Sequence, residues 1–201
     1  MSPASSLPSV GRGFTPRALG TAEQILGTAK PVGRVLRPMS YIDALLPEFD
    51  SEMAKTRRLL ERVPADRLGW KPHEKSRSLG ELATHLTELA RWGTRARGDS
   101  FQIGSEKAPE MKTASDFVTR FDANVAGSRS ALAGIPGETL GANFRVLKPD
   151  GTLFFEAPRL GIVRGVLMNH SIHHRGQLSV YLRENDVPVP SIYGPSADES
   201  I

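Results

Sequence analysis

A chain of 201 residues is long enough to bury one core, and its 39% apolar and 24% charged residues are ordinary for a soluble globular protein. It has no cysteine, which excludes a disulfide framework, a thiolate metal site and a cysteine nucleophile, so any metal must rest on nitrogen and oxygen ligands. The net charge of +4 belongs to residues 1–38, where Arg12, Arg17, Lys30, Arg34 and Arg37 face one acid, Glu23; 21 groups of each sign remain in residues 39–201, and that neutrality argues against nucleic acid as a partner.

Residues 1–38 are rich in Ser, Pro, Gly and Arg and hold too little apolar surface to offset the entropy of ordering. They are expected to be a disordered extension, with a weak helix near Thr21–Ala29. An Arg- and Ser-rich, acid-poor leader also resembles an organelle transit peptide, and Met39 is the alternative start of the chain. No apolar run approaches the roughly 18 residues that span a bilayer, so no membrane partner is expected and the cytoplasm is the expected location.

From Ser40 the pattern turns helical. Ile42, Leu45, Leu46, Phe49, Met53, Thr56 and Leu60 follow a three-four spacing, interrupted by Pro47, which either kinks the helix or sits in its first turn. Pro64 closes this helix, and Leu68 to His73 read as a loop with Trp70 as its anchor. Ser78 followed by Glu81 is a capping box that opens a second helix, with Leu79, Leu82, Leu86 and Leu89 as its apolar stripe and His85 inside that stripe. A third helix is predicted from about Ser115 to Leu132, with Phe117, Phe121, Val125 and Leu132 inward. Asn143–Leu147 and Thr152–Phe155 flank Lys148-Pro149-Asp150-Gly151, whose turn chemistry predicts a short hairpin or an irregular excursion. The last helix is predicted from about Pro158 to Asn185, with Val163, Leu167, His170, His174, Leu178 and Tyr181 on one face, before a Pro/Gly-rich tail. The expected fold is therefore all-α, an antiparallel four-helix bundle over residues 39–201.

His170 and His174 lie four residues apart, one above the other on a helix face. With His85 from the facing second helix they make a three-nitrogen set that leaves coordination positions open, as a catalytic metal requires. Three unpaired imidazoles converging in one interior would each cost on the order of one to a few kcal/mol, and a shared ion satisfies all of them. His73, in a Pro-flanked loop, reads as a surface or loop-fixing residue, and His173, about 100° off the ligand face, as one turned to solvent or a neighbouring helix. Asn169, Gln177 and Tyr181 lie near the ligand face, as candidates to hold metal-bound water or substrate or as ordinary helix residues, and Arg175 reads as the partner of an acid, the alternative being an anionic substrate. Imidazole suits zinc, nickel, copper and iron; zinc or nickel is the expected ion, with iron next. No carboxylate shares a motif with the histidines, which leaves Glu52 and Glu88 as the only candidate general bases and the catalytic residues unassigned.

Three segments carry a family resemblance: Leu59-Leu60-Glu61-Arg62-Val63-Pro64 with Trp70-Lys71-Pro72-His73-Glu74-Lys75-Ser76, then Leu79-Gly80-Glu81-Leu82-Ala83-Thr84-His85-Leu86, and finally Asn169 to Arg183 continuing from Val187 to Glu199. Over residues 40–200 they resemble the DinB/YfiT-like metal-binding helical-bundle superfamily. The resemblance implies a four-helix bundle, often dimeric, with its metal on one histidine of the second helix and two of the fourth, here His85, His170 and His174. It also implies a metal-dependent transferase acting on a small-molecule substrate with a low-molecular-weight thiol. The alternatives are a metal-dependent hydrolase of the same fold and a non-enzymatic metal-binding stress-response protein.

Overall fold

The structure is a computed structural model that describes residues 39–200; the extension 1–38 and the weak helix expected near Thr21–Ala29 lie outside the described residues. Four long helical stretches build the core. Helix α1 spans Tyr41–Leu60 and α2 spans Leu79–Leu89; α3, Trp92–Arg95, adds a short turn after α2. Helix α4 spans Ala114–Ala133. The last stretch begins as α5, Arg159–Gly161, passes through a π-helical segment, Ile162–Asn169, and ends as α6, His170–Glu184. Helix α1 packs against α4 and α6, and α2 packs against the same two, so the four enclose one apolar core. Phe49, Leu59, Leu82, Leu86, Phe117, Phe121, Leu167 and Leu178 are all buried there.

Local chemistry explains each helix start. Ser40 caps α1 through the Asp43 backbone N–H, with the Asp43 carboxylate returning to the Ser40 N–H at 3.0 Å. Ser78 and Glu81 form the same reciprocal box on α2, at 3.2 and 2.7 Å. Pro47 falls inside α1, on its exposed face, where the missing N–H costs one intrahelical bond and the core is untouched. Helix α4 begins at Ala114, one residue before the expected start. Thr113 caps it and Asp116 answers, while Ser115 sits in the first turn.

The all-α expectation is overturned by a three-stranded mixed sheet. Strand β1 is Ser100–Gln102, β2 is Asn143–Leu147 and β3 is Leu153–Pro158, in the order β1-β2-β3. The hairpin expected around Pro149-Asp150 is present, with β2 and β3 antiparallel from Asn143 against Pro158 to Leu147 against Leu153. Its turn uses Gly151 at φ +82°, and the Asp150 carboxylate accepts the Thr152 N–H at 2.9 Å. What had no sequence signal is β1, which joins β2 in parallel, Ser100 against Arg145. Trp92 of α3 ties the sheet to the helices, its ring 5.2 Å from Phe101 and 6.4 Å from Phe144. Buried Arg159 closes the ends of the excursion by donating to the carbonyls of Thr139 and Gly98 at 2.9 and 3.0 Å.

Candidate metal centre

His85 stands on α2 between buried Leu82 and Leu86, so the packing of that stripe sets the direction of its ring. His170 and His174 stand on the first turns of α6, immediately after the π-helical segment, whose final bond runs from the His170 N–H to the Gly165 carbonyl five residues back. π-helical turns recur at functional sites. Because α2 and α6 are packed neighbours, the three rings meet. His170 Nε2 lies 2.8 Å from His174 Nε2 and 3.4 Å from His85 Nε2, and the three nitrogens all fall within 4.8 Å of one another. Ring centroids are 4.6 to 5.1 Å apart. The three residues picked from the sequence are thus brought to one point.

Hydrogen bonding fixes one tautomer. The Gln177 Oε1, which can only accept, lies 2.7 Å from His174 Nδ1, so that nitrogen carries the proton and Nε2 turns its lone pair inward. Three Nε2 atoms that face one another cannot all be satisfied by sharing protons. The set does fit a divalent transition ion: two imidazoles on one ion at about 2.0–2.1 Å stand roughly 3 Å apart, close to the separations seen. Among the described residues no fourth His, Cys, Asp or Glu joins the group.

The electrostatics favour ligation. Burial holds the His85 imidazole down at about 3, with the charge of Arg77 adding to the effect. Burial likewise lowers His170 and His174, with further repulsion from neighbouring imidazoles and Arg77, while the Gln177 bond partly offsets it at His174. All three are therefore held neutral, the form that binds metal. Two cavities reach the group. One of about 590 Å³ has His85, Thr84, Glu88, Arg77 and Met111 in its wall, and one of about 170 Å³ has His174, Gln177, Tyr181 and Arg77.

The remaining candidates separate cleanly. His73 is exposed and its Nδ1 accepts the Lys75 N–H at 3.2 Å, a loop-fixing role. His173 is exposed and touches only the edge of the triad, its ring 5.0 Å from that of His174. Asn169 is exposed as well. Tyr181 packs edge-on to Trp70 at 5.3 Å and donates to the Arg77 carbonyl at 3.3 Å. Arg175 pairs with an acid, and that acid is Glu52, at 2.6 Å. Glu52 also accepts from Lys55 and Tyr193, at 2.8 and 2.5 Å, so it serves as a structural counter-ion on the α1 side. Glu88 lines the same cavity as His85 but is held by Arg120 at 2.8 Å and Arg91 at 3.2 Å, and these partners lower its pKa despite burial. Sequence reading did not find Arg77 or the loop at Ala108–Met111, which complete the larger cavity. Arg77 directly precedes the Ser78 cap, and that position was its one available signal.

Similarities to known proteins agree with this architecture. The uncharacterized protein YrdA of Bacillus subtilis (strain 168) is 25% identical over 163 residues, which cover 79% of this chain and 91% of YrdA. The crystal structure of a DinB-like protein from Bacillus cereus ATCC 10987 superposes with a TM-score of 0.61 at 19% identity, covering 77% of this chain and 99% of that one. The DinB-like protein YjoA from Bacillus subtilis gives 0.57 at 22% identity, over 72% and 96% respectively. The DinB family model matches residues 39–200, and the chain belongs to the DinB family.

Proposed function

We propose that His85, His170 and His174 hold one divalent transition-metal ion, zinc or nickel, and that the protein is a metal-dependent transferase joining a small thiol to an electrophilic carbon. The observation that carries this reading is the convergence of three Nε2 atoms beside two cavities, without a fourth protein ligand among the described residues. A structural ion would instead call for a closed set of four ligands. When bound, the ion supplies Lewis acidity that makes a small nucleophile available at neutral pH.

The residues of the chain do the rest. The three imidazoles stay neutral through burial and so remain free to ligate. Gln177 orients His174 through its Nδ1 proton. The thiol reading is favoured over hydrolysis by the state of Glu88. Of the three carboxylates in the wall of the His85 cavity, Glu81, Glu88 and Glu110, it is the one on the same helix one turn beyond His85, less exposed than the other two, and two arginines hold it in its ionised, weakly basic form. A thiol that is already acidified has less need of such a base than water does.

The test is elemental analysis of the purified protein followed by a turnover screen of metal-loaded protein against thiol and electrophile pairs, alongside ester and amide substrates. One ion per chain and thiol consumption that stops on chelation are expected. Folded protein that neither carries nor takes up a transition metal would overturn the reading, and turnover of esters or amides alone would replace the transferase with a hydrolase. Among the described residues no helix is long and apolar enough to cross a membrane.

A further inference from the structure

We propose that the small molecule acting at the three-histidine centre carries an anionic group of the carboxylate class, and that Arg77 binds it. This rests on the metal-centre reading above and adds the charge of the ligand to it. Three observations carry it.

The first is position. Arg77 is in the wall of both cavities that flank the triad, the one holding His85 and the one holding His174. The second is that its side chain is uncommitted. Among the described residues the guanidinium of exposed Arg77 makes no hydrogen bond or ion pair, whereas the acids around the larger cavity all have donors of their own. Glu81 accepts the Ser78 N–H at 2.7 Å with Lys71 at 4.0 Å, Glu88 is held by Arg91 and Arg120, and Glu110 lies 3.3 Å from Lys112. Among the described residues Arg77 is the one Arg or Lys in the wall of either cavity, and its charge also reaches the Glu81 carboxylate, which Ser78 and Lys71 already hold.

The third observation is that its backbone is fixed while its head is free. The Arg77 carbonyl accepts from Tyr181, and the next residue, Ser78, is locked into the α2 cap. Anchored in this way, the guanidinium pivots from a set point. A planar guanidinium offers paired donors that match a carboxylate, and a cationic group this close to the centre repels a cationic ligand while attracting an anionic one.

The test uses protein loaded with Co²⁺, whose absorption responds to thiol binding. Mercaptoacetate, 3-mercaptopropionate and 4-mercaptobutyrate are titrated against the neutral 2-mercaptoethanol, in the wild type, Arg77→Gln and Arg77→Lys. At least one of the acids is expected to bind about tenfold or more tightly than 2-mercaptoethanol, the worth of one charge-assisted hydrogen-bonded contact. That preference is expected to fall to within about twofold in Arg77→Gln and to survive in part in Arg77→Lys. Circular dichroism checks that both variants fold, as an exposed side chain without fold contacts leads one to expect. Equal affinity for acids and neutral thiol in the wild type, or a preference that Arg77→Gln leaves intact, overturns the assignment of Arg77 while the centre stands. Failure to take up Co²⁺, or a cobalt spectrum that no thiol changes, overturns the metal-and-thiol reading and this inference with it.

Discussion

Glu52→Gln is the substitution that most directly tests how the helices are held. Glu52 and Arg175 are almost completely buried, and their side chains meet at 2.6 Å across the α1–α6 contact. Arg175 also donates to the Glu52 carbonyl at 2.9 Å, and Tyr193 donates to the carboxylate at 2.5 Å. Charge centres about 4 Å apart attract by about 4 kcal/mol at the effective dielectric constant of such sites. An amide keeps the shape and most of the hydrogen bonds, but leaves a guanidinium buried without its counter-charge, a change worth about 3–5 kcal/mol. The expected loss is about 3 kcal/mol, since Lys55 is released to solvent and relieves part of the strain. In urea that loss moves the unfolding midpoint down by roughly 1–2 M. The charge-free pair Glu52→Leu with Arg175→Met is expected to recover most of it, giving a coupling energy of about 2 kcal/mol or more in a double-mutant cycle. A Glu52→Gln midpoint within experimental scatter of the wild type would refute the view that this pair is a structural counter-ion arrangement.

Alanine at position 85, 170 or 174 is expected to lower metal affinity by about a hundredfold or more in chelator competition, while His173→Ala and His73→Ala stay within about threefold; equal effects would refute the assigned helix face. Gln177→Ala, which removes the partner of His174 Nδ1, is expected to cost about tenfold in the same assay. In metal-free protein the folded imidazoles titrate below their unfolded value, so their neutral-state stabilisation is complete above about pH 6.5 and is lost as pH falls toward their folded values, about 3 for His85. NMR of the His85 ring should therefore show no protonation step between pH 5 and 8, and a step there would refute the burial argument. Under the metal reading, chelation should leave the helical circular dichroism unchanged, because the apolar core packs without an ion; collapse of the signal would favour a structural metal.

What was legible in the sequence was local. The Ser78–Glu81 box lies within four residues, and its polar atoms can satisfy each other wherever the rest of the chain goes. The spacing of His170 and His174 is a property of one helix, and His85 declared itself by interrupting a leucine stripe. The hairpin was legible through the Pro149-Asp150-Gly151 turn. What stayed hidden depends on distant partners. Strand β1 is three residues long, too short for alternation to register, and it exists because β2, some 45 residues later, offers a parallel edge. The role of Glu52 could not be read because its partner Arg175 is 123 residues away. The start of α4 was legible to within one residue, and its cap is Thr113 because Thr113, unlike Ser115, has an acid, Asp116, at the third helical position. The π-helical segment was invisible to a periodicity argument that assumed 3.6 residues per turn throughout.

The half-buried histidine group and the buried Glu52–Arg175 pair are consequences of one geometry of α6. His174 and Arg175 are neighbours in sequence, so their side chains diverge by about 100° around the helix. One turns to His85 on α2, the other to Glu52 on α1. Rotating α6 to loosen the histidines would pull the guanidinium from its carboxylate, and breaking a buried pair on one side is costly. The Glu52–Arg175 pair therefore sets the angle at which His170 and His174 present their nitrogens. On the other side of the centre, the buried Leu82, Leu86 and Leu89 set the angle of His85. Neither constraint involves an ion, so the three donors are positioned by the packing of α1, α2 and α6 before any ligand arrives. Three nitrogens prepared in this way would let an ion bound there keep coordination positions free, because the fold already holds them in place and the ion would not be needed to gather them.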